Sequence, residues 1–272
     1  MNKLFCSTGA LVGRVCNYDY SLIKKHLPAL FEQGYIDGME FMMIPYYYDR
    51  VNDIIKTVND TKIPTPVMHC EKDIGILFSE CERSSANKAL NLFKINCEVG
   101  KSIGAEKMVF HLWGGTKSDS HIEYNISLLP RVLDIISDYN MRLLIENIPS
   151  TTYSGLQNWG KLLDFSSDID FIFDTRFGAF HEEIDEILSS ELWEKVKHIH
   201  ISDYSSFPRD FSKIRPILHP CEGVINFPKL FNELKQKNYD GSFTLESPVM
   251  LPNGCDVEKL KKSLRYIKAH IK

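Results

Sequence analysis

Six residues able to bind a divalent metal or carry a proton, His69, His111, Glu146, Asp174, His200 and Glu246, stand at or beside the ends of short apolar runs. The runs read "PVMH", "MVFH", "RLLIE", "DFIFD", "HIHIS" and "SFTLE". An ionised carboxylate drawn out of water in such a place costs several kcal/mol unless a cation or hydrogen-bond donors compensate it. Together the six make a mixed nitrogen and oxygen set suited to Zn²⁺, Mn²⁺ or a related ion. Taken singly, each has a structural explanation: a buried histidine satisfied by a carbonyl, or a carboxylate paired with an arginine. Six in register favour a shared cation, because clustered carboxylates repel one another and a divalent ion relieves that repulsion.

The elements that must carry them follow from parity. Strand side chains alternate between faces, so in "HIHIS" Ile199 and Ile201 share one face and His198 and His200 the other. In "SFTLE" Phe243 and Leu245 oppose Ser242, Thr244 and Glu246. The same rule turns His69, His111, Glu146 and Asp174 to the polar face. Eight runs qualify as strands, near "LFCST", "GMEFM", "TPVMHC", "KMVFHL", "RLLIEN", "DFIFD", "HIHIS" and "SFTLES". Helical patterns lie between them. In "ANKALNLFKINCEVGKSIGA" Leu90, Phe93, Cys97 and Gly100 share a face, and in "NFPKLFNELKQKNYDG" Pro228 stands near the start and Gly241 past the end. Separations of 42, 35, 28, 26 and 46 residues between successive candidates match βαβ steps of roughly 30 residues or more. The expected fold is α/β, a single (β/α)₈ TIM barrel over residues 1–272, with all six residues at its C-terminal mouth.

Composition sets the outer limits. With 272 residues, 43% hydrophobic and 25% charged, the chain can bury a large core. A net charge of −4 supplies no global attraction for nucleic acid or anionic membrane. Seven cysteines, without a C-x-x-C pair, read as reduced thiols of a cytoplasmic protein. The opening "MNKLFCSTGALVGRVC" is interrupted by Arg14 and lacks a small-residue cleavage site, so no signal peptide is expected, and no apolar run is long enough to span a bilayer.

The series "MEF", "MHCE", "VFHLWGG", "LLIENIPS", "FIFDTRFGAFH", "HIHISDYS" and "HPCEGVINFPKLFNELKQKNYDGSFTLE" resembles the xylose-isomerase-like TIM-barrel superfamily over nearly the whole chain. That grouping includes sugar and sugar phosphate isomerases and epimerases and the DNA-repair enzyme endonuclease IV. In the epimerase branch the resemblance implies one divalent metal held by Glu146, Asp174, His200 and Glu246, with the two glutamates also acting as acid and base. In the endonuclease branch it implies a further metal on His69 and His111, bridged by Glu146. The third metal of that nuclease is not matched. Phe177 stands where a histidine is expected, Arg215 and Ile217 stand about where an Asp-x-His would, and "CEG" replaces Gly-Glu-Gly.

Four further residues are candidates for substrate binding. His219, before "CEG", is placed to reach a hydroxyl or phosphate, or to cap its loop. Arg215 is suited to neutralise a phosphate or to form a surface ion pair. Trp113 offers an apolar wall for a sugar, or core packing. Glu40 ends the second strand facing inward, toward substrate or a loop amide. His181 reads as solvent-facing and His198 as a hydrogen-bonded core residue. The expected activity is metal-dependent isomerisation or epimerisation of a small sugar, sugar phosphate or hydroxy-ketone through an enediolate, with Glu146 and Glu246 exchanging the proton. The alternatives are a metal-dependent endonuclease acting at abasic sites, which the charge disfavours, and a metal-binding barrel without turnover. The sequence leaves the oligomeric state open.

Overall fold

The eight apolar runs form β1 (Leu4–Ser7), β2 (Gly38–Met42), β3 (Val67–His69), β4 (Lys107–Phe110), β5 (Arg142–Glu146), β6 (Asp170–Asp174), β7 (Val196–Ile201) and β8 (Ser242–Leu245). In the computed structural model, which describes residues 2–167, 169–205 and 210–271, they pair in parallel and in sequence order. β8 returns to β1, with Leu4 opposite Phe243 and Cys6 opposite Leu245, and closes a barrel. The expected (β/α)₈ TIM barrel is the observed fold.

Alternation divides each strand between two environments. Phe5, Val67, Val109, Leu144 and Ile172 form their own apolar cluster inside the barrel. Residues of the opposite parity, such as Cys6, Met68, Phe110, Ile145, Phe173 and Ile199, join the larger core between sheet and helices. β7 carries a bulge that keeps this order. Phe171 pairs with Val196 but Ile172 with His198, so the extra Lys197 resets the alternation and both His198 and His200 face inward.

The helices are α1 (Ser21–Glu32), α2 (Val51–Asp60), α3 (Ile74–Phe78), α4 (Arg83–Ile103), α5 (Ile122–Ser127), α6 (Leu129–Ser137), α7 (Gly155–Leu163), α8 (Thr175–Phe180), α9 (Ile184–Ser189), α10 (Phe227–Gln236) and α11 (Val257–His270). α4 buries Leu90, Phe93, Cys97 and Gly100 on one stripe, as its period predicts. Gly104 ends it in the left-handed region at φ +84, where a side chain would be strained. At the end of α10 the sequence reading is corrected. The helix stops at Gln236 and Asn238, at φ 53, supplies the left-handed turn, so that Tyr239 N–H reaches the Leu234 carbonyl at 3.0 Å. Gly241 serves close packing instead, because a Cβ there would lie 2.9 Å from the Lys197 carbonyl.

After β8 a short hairpin, β9 (Met250–Leu251) with β10 (Gly254–Cys255), folds over the loop that follows β1. Val249 N–H donates to the Ala10 carbonyl at 2.9 Å and ties the two together. Among the described residues no helix is long and apolar enough to cross a membrane.

Candidate metal and proton-transfer site

Glu146, Asp174, His200 and Glu246 stand at or beside the ends of β5, β6, β7 and β8, and inward parity brings a ligand atom from each within 4.8 Å of the others. His69, His111 and Glu146 form a second group by the same measure, so Glu146 belongs to both. All six residues named from the sequence converge, and none is more than 7% exposed.

The hydrogen bonds indicate which atoms are available. His69 donates from Nδ1 to the Cys70 carbonyl at 2.7 Å, which leaves Nε2 as a lone pair, 3.5 Å from Oε2 of Glu146. His111 Nε2 meets that same Glu146 oxygen. Glu146 Oε1 lies 3.0 Å from His200 Nδ1, and Glu246 Oε2 lies 3.5 Å from it. Asp174 spends Oδ1 on the N–H of Phe177 at 3.0 Å, capping α8. Its N–H donates to Asn147 Oδ1 at 2.7 Å, which fixes the strand end. His69 Nε2, Asp174 Oδ2 and Glu246 Oε1 are buried without a hydrogen-bond partner. Buried polar atoms are seldom left in that state. Three of them in one cluster of carboxylates and imidazoles fit a divalent ion.

Electrostatics agree with this. Glu40, Glu146, Asp174 and Glu246 surround the His200 ring, and Arg176 lies beside Asp174 alone. Burial alone would lower the His200 pKa, but Glu246, Glu40 and Glu146 hold it well above the ordinary imidazole range. Burial pushes the Asp174 carboxyl up to about 6, with Arg176 opposing the shift and Glu146 and Glu246 adding to it. Glu146 stays well below the ordinary carboxylate range against burial, through His111 and His200. His111 is pushed down to about 4 by burial, only partly offset by Glu146, and is a neutral imidazole at neutral pH.

The four residues named for substrate binding have different surroundings. Glu40 is fully buried beneath His200, with Oε1 and Oε2 at 3.0 and 3.1 Å from His200 Nε2. His219 is 3% exposed and has both ring nitrogens engaged, with Ser263 Oγ at 2.7 Å and the Pro248 carbonyl at 3.2 Å, so it latches the loop. Trp113 is fully buried and donates its indole N–H to the Ile148 carbonyl at 2.8 Å, the core-packing arrangement. Arg215 is exposed. His181 is half-buried, and His198 lies in the barrel core as expected.

Two basic residues near the cluster escaped the sequence reading. Arg176 is 4% exposed, lies 3.6 Å from Asp174 Oδ2 and donates to the Ile214 carbonyl at 3.1 Å. Its signal was present in "FDTRF", two residues past a strand-ending aspartate. Half-buried Lys72 holds Glu246 below the ordinary carboxylate range together with His200, against burial. Asp203 is a further organiser. Its carboxylate accepts the N–H groups of Tyr204, Gly223 and Ile225 at 2.8, 2.8 and 3.0 Å and so draws the "CEGVI" loop onto the end of β7.

Residues 30–270 match the family described as xylose isomerase-like TIM barrel. Among solved structures, the D-allulose 3-epimerase from Methylomonas sp. in complex with D-allulose superposes with a TM-score of 0.73 at 14% identity, over 99% of this chain and 97% of that one. The 3-keto-D-glucoside 4-epimerase YcjR from E. coli gives 0.70 at 15% identity, over 99% and 100%. The IOLI protein with a binding zinc atom gives 0.66 at 14% identity, over 98% and 96%. At these identities the likeness establishes the fold.

Proposed function

The chain belongs to the xylose isomerase-like TIM barrel family, and from that premise we propose that it is a divalent-metal-dependent isomerase or epimerase of a small sugar, sugar phosphate or hydroxy-ketone. The observation that carries the reading is the quartet Glu146, Asp174, His200 and Glu246, whose ligand atoms lie within 4.8 Å of one another while Asp174 Oδ2 and Glu246 Oε1 are buried without a hydrogen bond. These four residues would hold the ion. When bound, a divalent ion supplies Lewis-acid polarisation of a carbonyl, worth several kcal/mol at a transition state that gathers charge on oxygen. Sugar epimerases and a zinc-bearing protein among the structural neighbours support the same reading.

The rest is the work of the chain's own side chains. Glu146 and Glu246 approach from β5 and β8, separate arcs of the barrel wall, and can address two faces of one substrate carbon. One carboxylate removes the proton α to the carbonyl and the other returns it. Return to the same carbon inverts it, and return to its neighbour gives aldose–ketose isomerisation. His111, neutral at neutral pH, is suited to hydrogen-bond a substrate hydroxyl. In the alternative arrangement His69, whose Nε2 makes no hydrogen bond, holds a second ion with Glu146 and His111 in place of that contact.

Solvent exchange tests the proposal without the natural substrate. Protein loaded with Zn²⁺ or Mn²⁺ is incubated in D₂O with a panel of ketoses and their phosphates, and deuterium at the carbon next to the carbonyl is read by NMR. Metal-dependent incorporation is expected with at least one member. Silence across the panel, with the quartet loaded, would favour a binding barrel without turnover. Retention of abasic DNA in a gel shift would favour the nuclease.

A further inference from the structure

His200 presents one ring nitrogen to the cluster and turns the other away. Nδ1 lies 3.0 Å from Glu146 Oε1, while Nε2 meets the two oxygens of Glu40 at 3.0 and 3.1 Å. Glu40 comes from β2 and is held in turn from β7 and β8. Thr244 Oγ1 lies 2.7 Å and His198 Nε2 3.0 Å from its Oε2. His198 Nδ1 is anchored by Ser242 Oγ at 2.7 Å. Three groups able to donate therefore converge on Glu40, and an ionised carboxylate can only accept.

We infer that Glu40 is a positioning residue that fixes His200 as a metal ligand through Nδ1, by accepting the hydrogen on Nε2. The inference rests on the metal reading above and assigns Glu40 a role beneath the ion instead of at the substrate. A ligating histidine whose second nitrogen donates to a carboxylate is held in orientation and tautomer and made more basic. Glu40, His198 and His200 also have ligand atoms within 4.8 Å of one another. No facing atom of that triad is left without a hydrogen bond, unlike His69 Nε2, Asp174 Oδ2 and Glu246 Oε1 in the cluster above, so it is a support and not a second ion site.

Glu40→Gln is the discriminating change, because it keeps the shape and replaces an acceptor by an NH₂ group. The amide then faces N–H donors, and the conflict is relieved when the His200 hydrogen moves to Nδ1, where it opposes the ion. The probe is Co²⁺ titrated into the full chain and followed by its visible absorption, with Zn²⁺ in competition. Wild type should show a saturable band whose His200-dependent part is lost in His200→Ala, and Glu40→Gln should weaken that part about 10- to 100-fold with its circular dichroism unchanged. A wild type without the band would overturn the metal reading and this inference with it. A wild-type band with Glu40→Gln binding within about threefold would overturn the inference alone. If Glu40→Gln does not fold, histidine ¹⁵N NMR of zinc-loaded wild type decides. Nδ1 coordinated with hydrogen on Nε2 supports the assignment, and the reverse overturns it.

Discussion

Glu246 follows the last barrel strand, with one carboxylate oxygen 3.5 Å from His200 Nδ1 and the other buried without a hydrogen bond. If it is a proton carrier as well as a ligand, Glu246→Gln should keep the fold and much of the metal while solvent exchange at the substrate carbon falls by at least about 10²-fold. Near wild-type exchange in a variant that retains its metal would reduce Glu246 to a ligand and end the two-glutamate mechanism. The candidate ligands were legible because each stands at a strand end with inward parity. Partners across the barrel were not. Glu40 meets His198, His200 and Thr244 at sequence separations of 158, 160 and 204 residues, which no local pattern encodes. His219 and Trp113 looked functional because they are polar or aromatic beside a motif, yet their polar atoms are engaged by the protein itself.

Elements turn these positions into geometry, and two loops make testable demands. A Cβ on Gly223 would lie 2.1 Å from the Tyr204 carbonyl and 2.6 Å from Asp203 Oδ1, contacts that cannot be borne without moving the loop. Gly223→Ala should cost about 1–3 kcal/mol in urea unfolding, and a change within about 0.5 kcal/mol would mean that Asp203 does not clamp this loop. Glu183, 2% exposed, lies against the start of α7, and burial pushes its carboxyl from 4.5 up to about 7. Because the folded pKa is the higher one, this residue's contribution is fully present below about 4.5 and is lost as pH rises toward 7. Glu183→Gln should remove that slope, worth at most about 3 kcal/mol, from the dependence of Tm on pH. An unchanged profile would show that Glu183 is solvated. Strand existence was legible at this scale, because short apolar runs spaced by amphipathic ones have few other solutions. The β7 bulge and the Asn238 cap were not, since each is a one-residue choice settled by neighbouring strands and helices.

The whole barrel explains how so many carboxylates can be kept in one place. Eight strands, closed and covered by helices, hold Glu40, Glu146, Asp174 and Glu246 around the His200 ring. An ion that binds only the folded chain should relieve the repulsion among these carboxylates. At about 100 times its Kd it adds about 2.7 kcal/mol, which for a barrel of this size raises Tm by about 5–10 °C. Calorimetry with and without chelator checks this, and a Tm indifferent to saturating Zn²⁺ and Mn²⁺ would count against a folded-state site. The fold was legible from strand number and register alone, because only closure brings six strand ends to one mouth.

The most direct test of the central claim is an anomalous-difference map from crystals of the Zn²⁺- or Mn²⁺-loaded protein, recorded on both sides of the metal's absorption edge. The account predicts a peak at roughly 2.0–2.3 Å from oxygens of Glu146, Asp174 and Glu246 and from Nδ1 of His200. A map with no peak there, or one in which those four side chains lie more than about 5 Å from any common point, would contradict it.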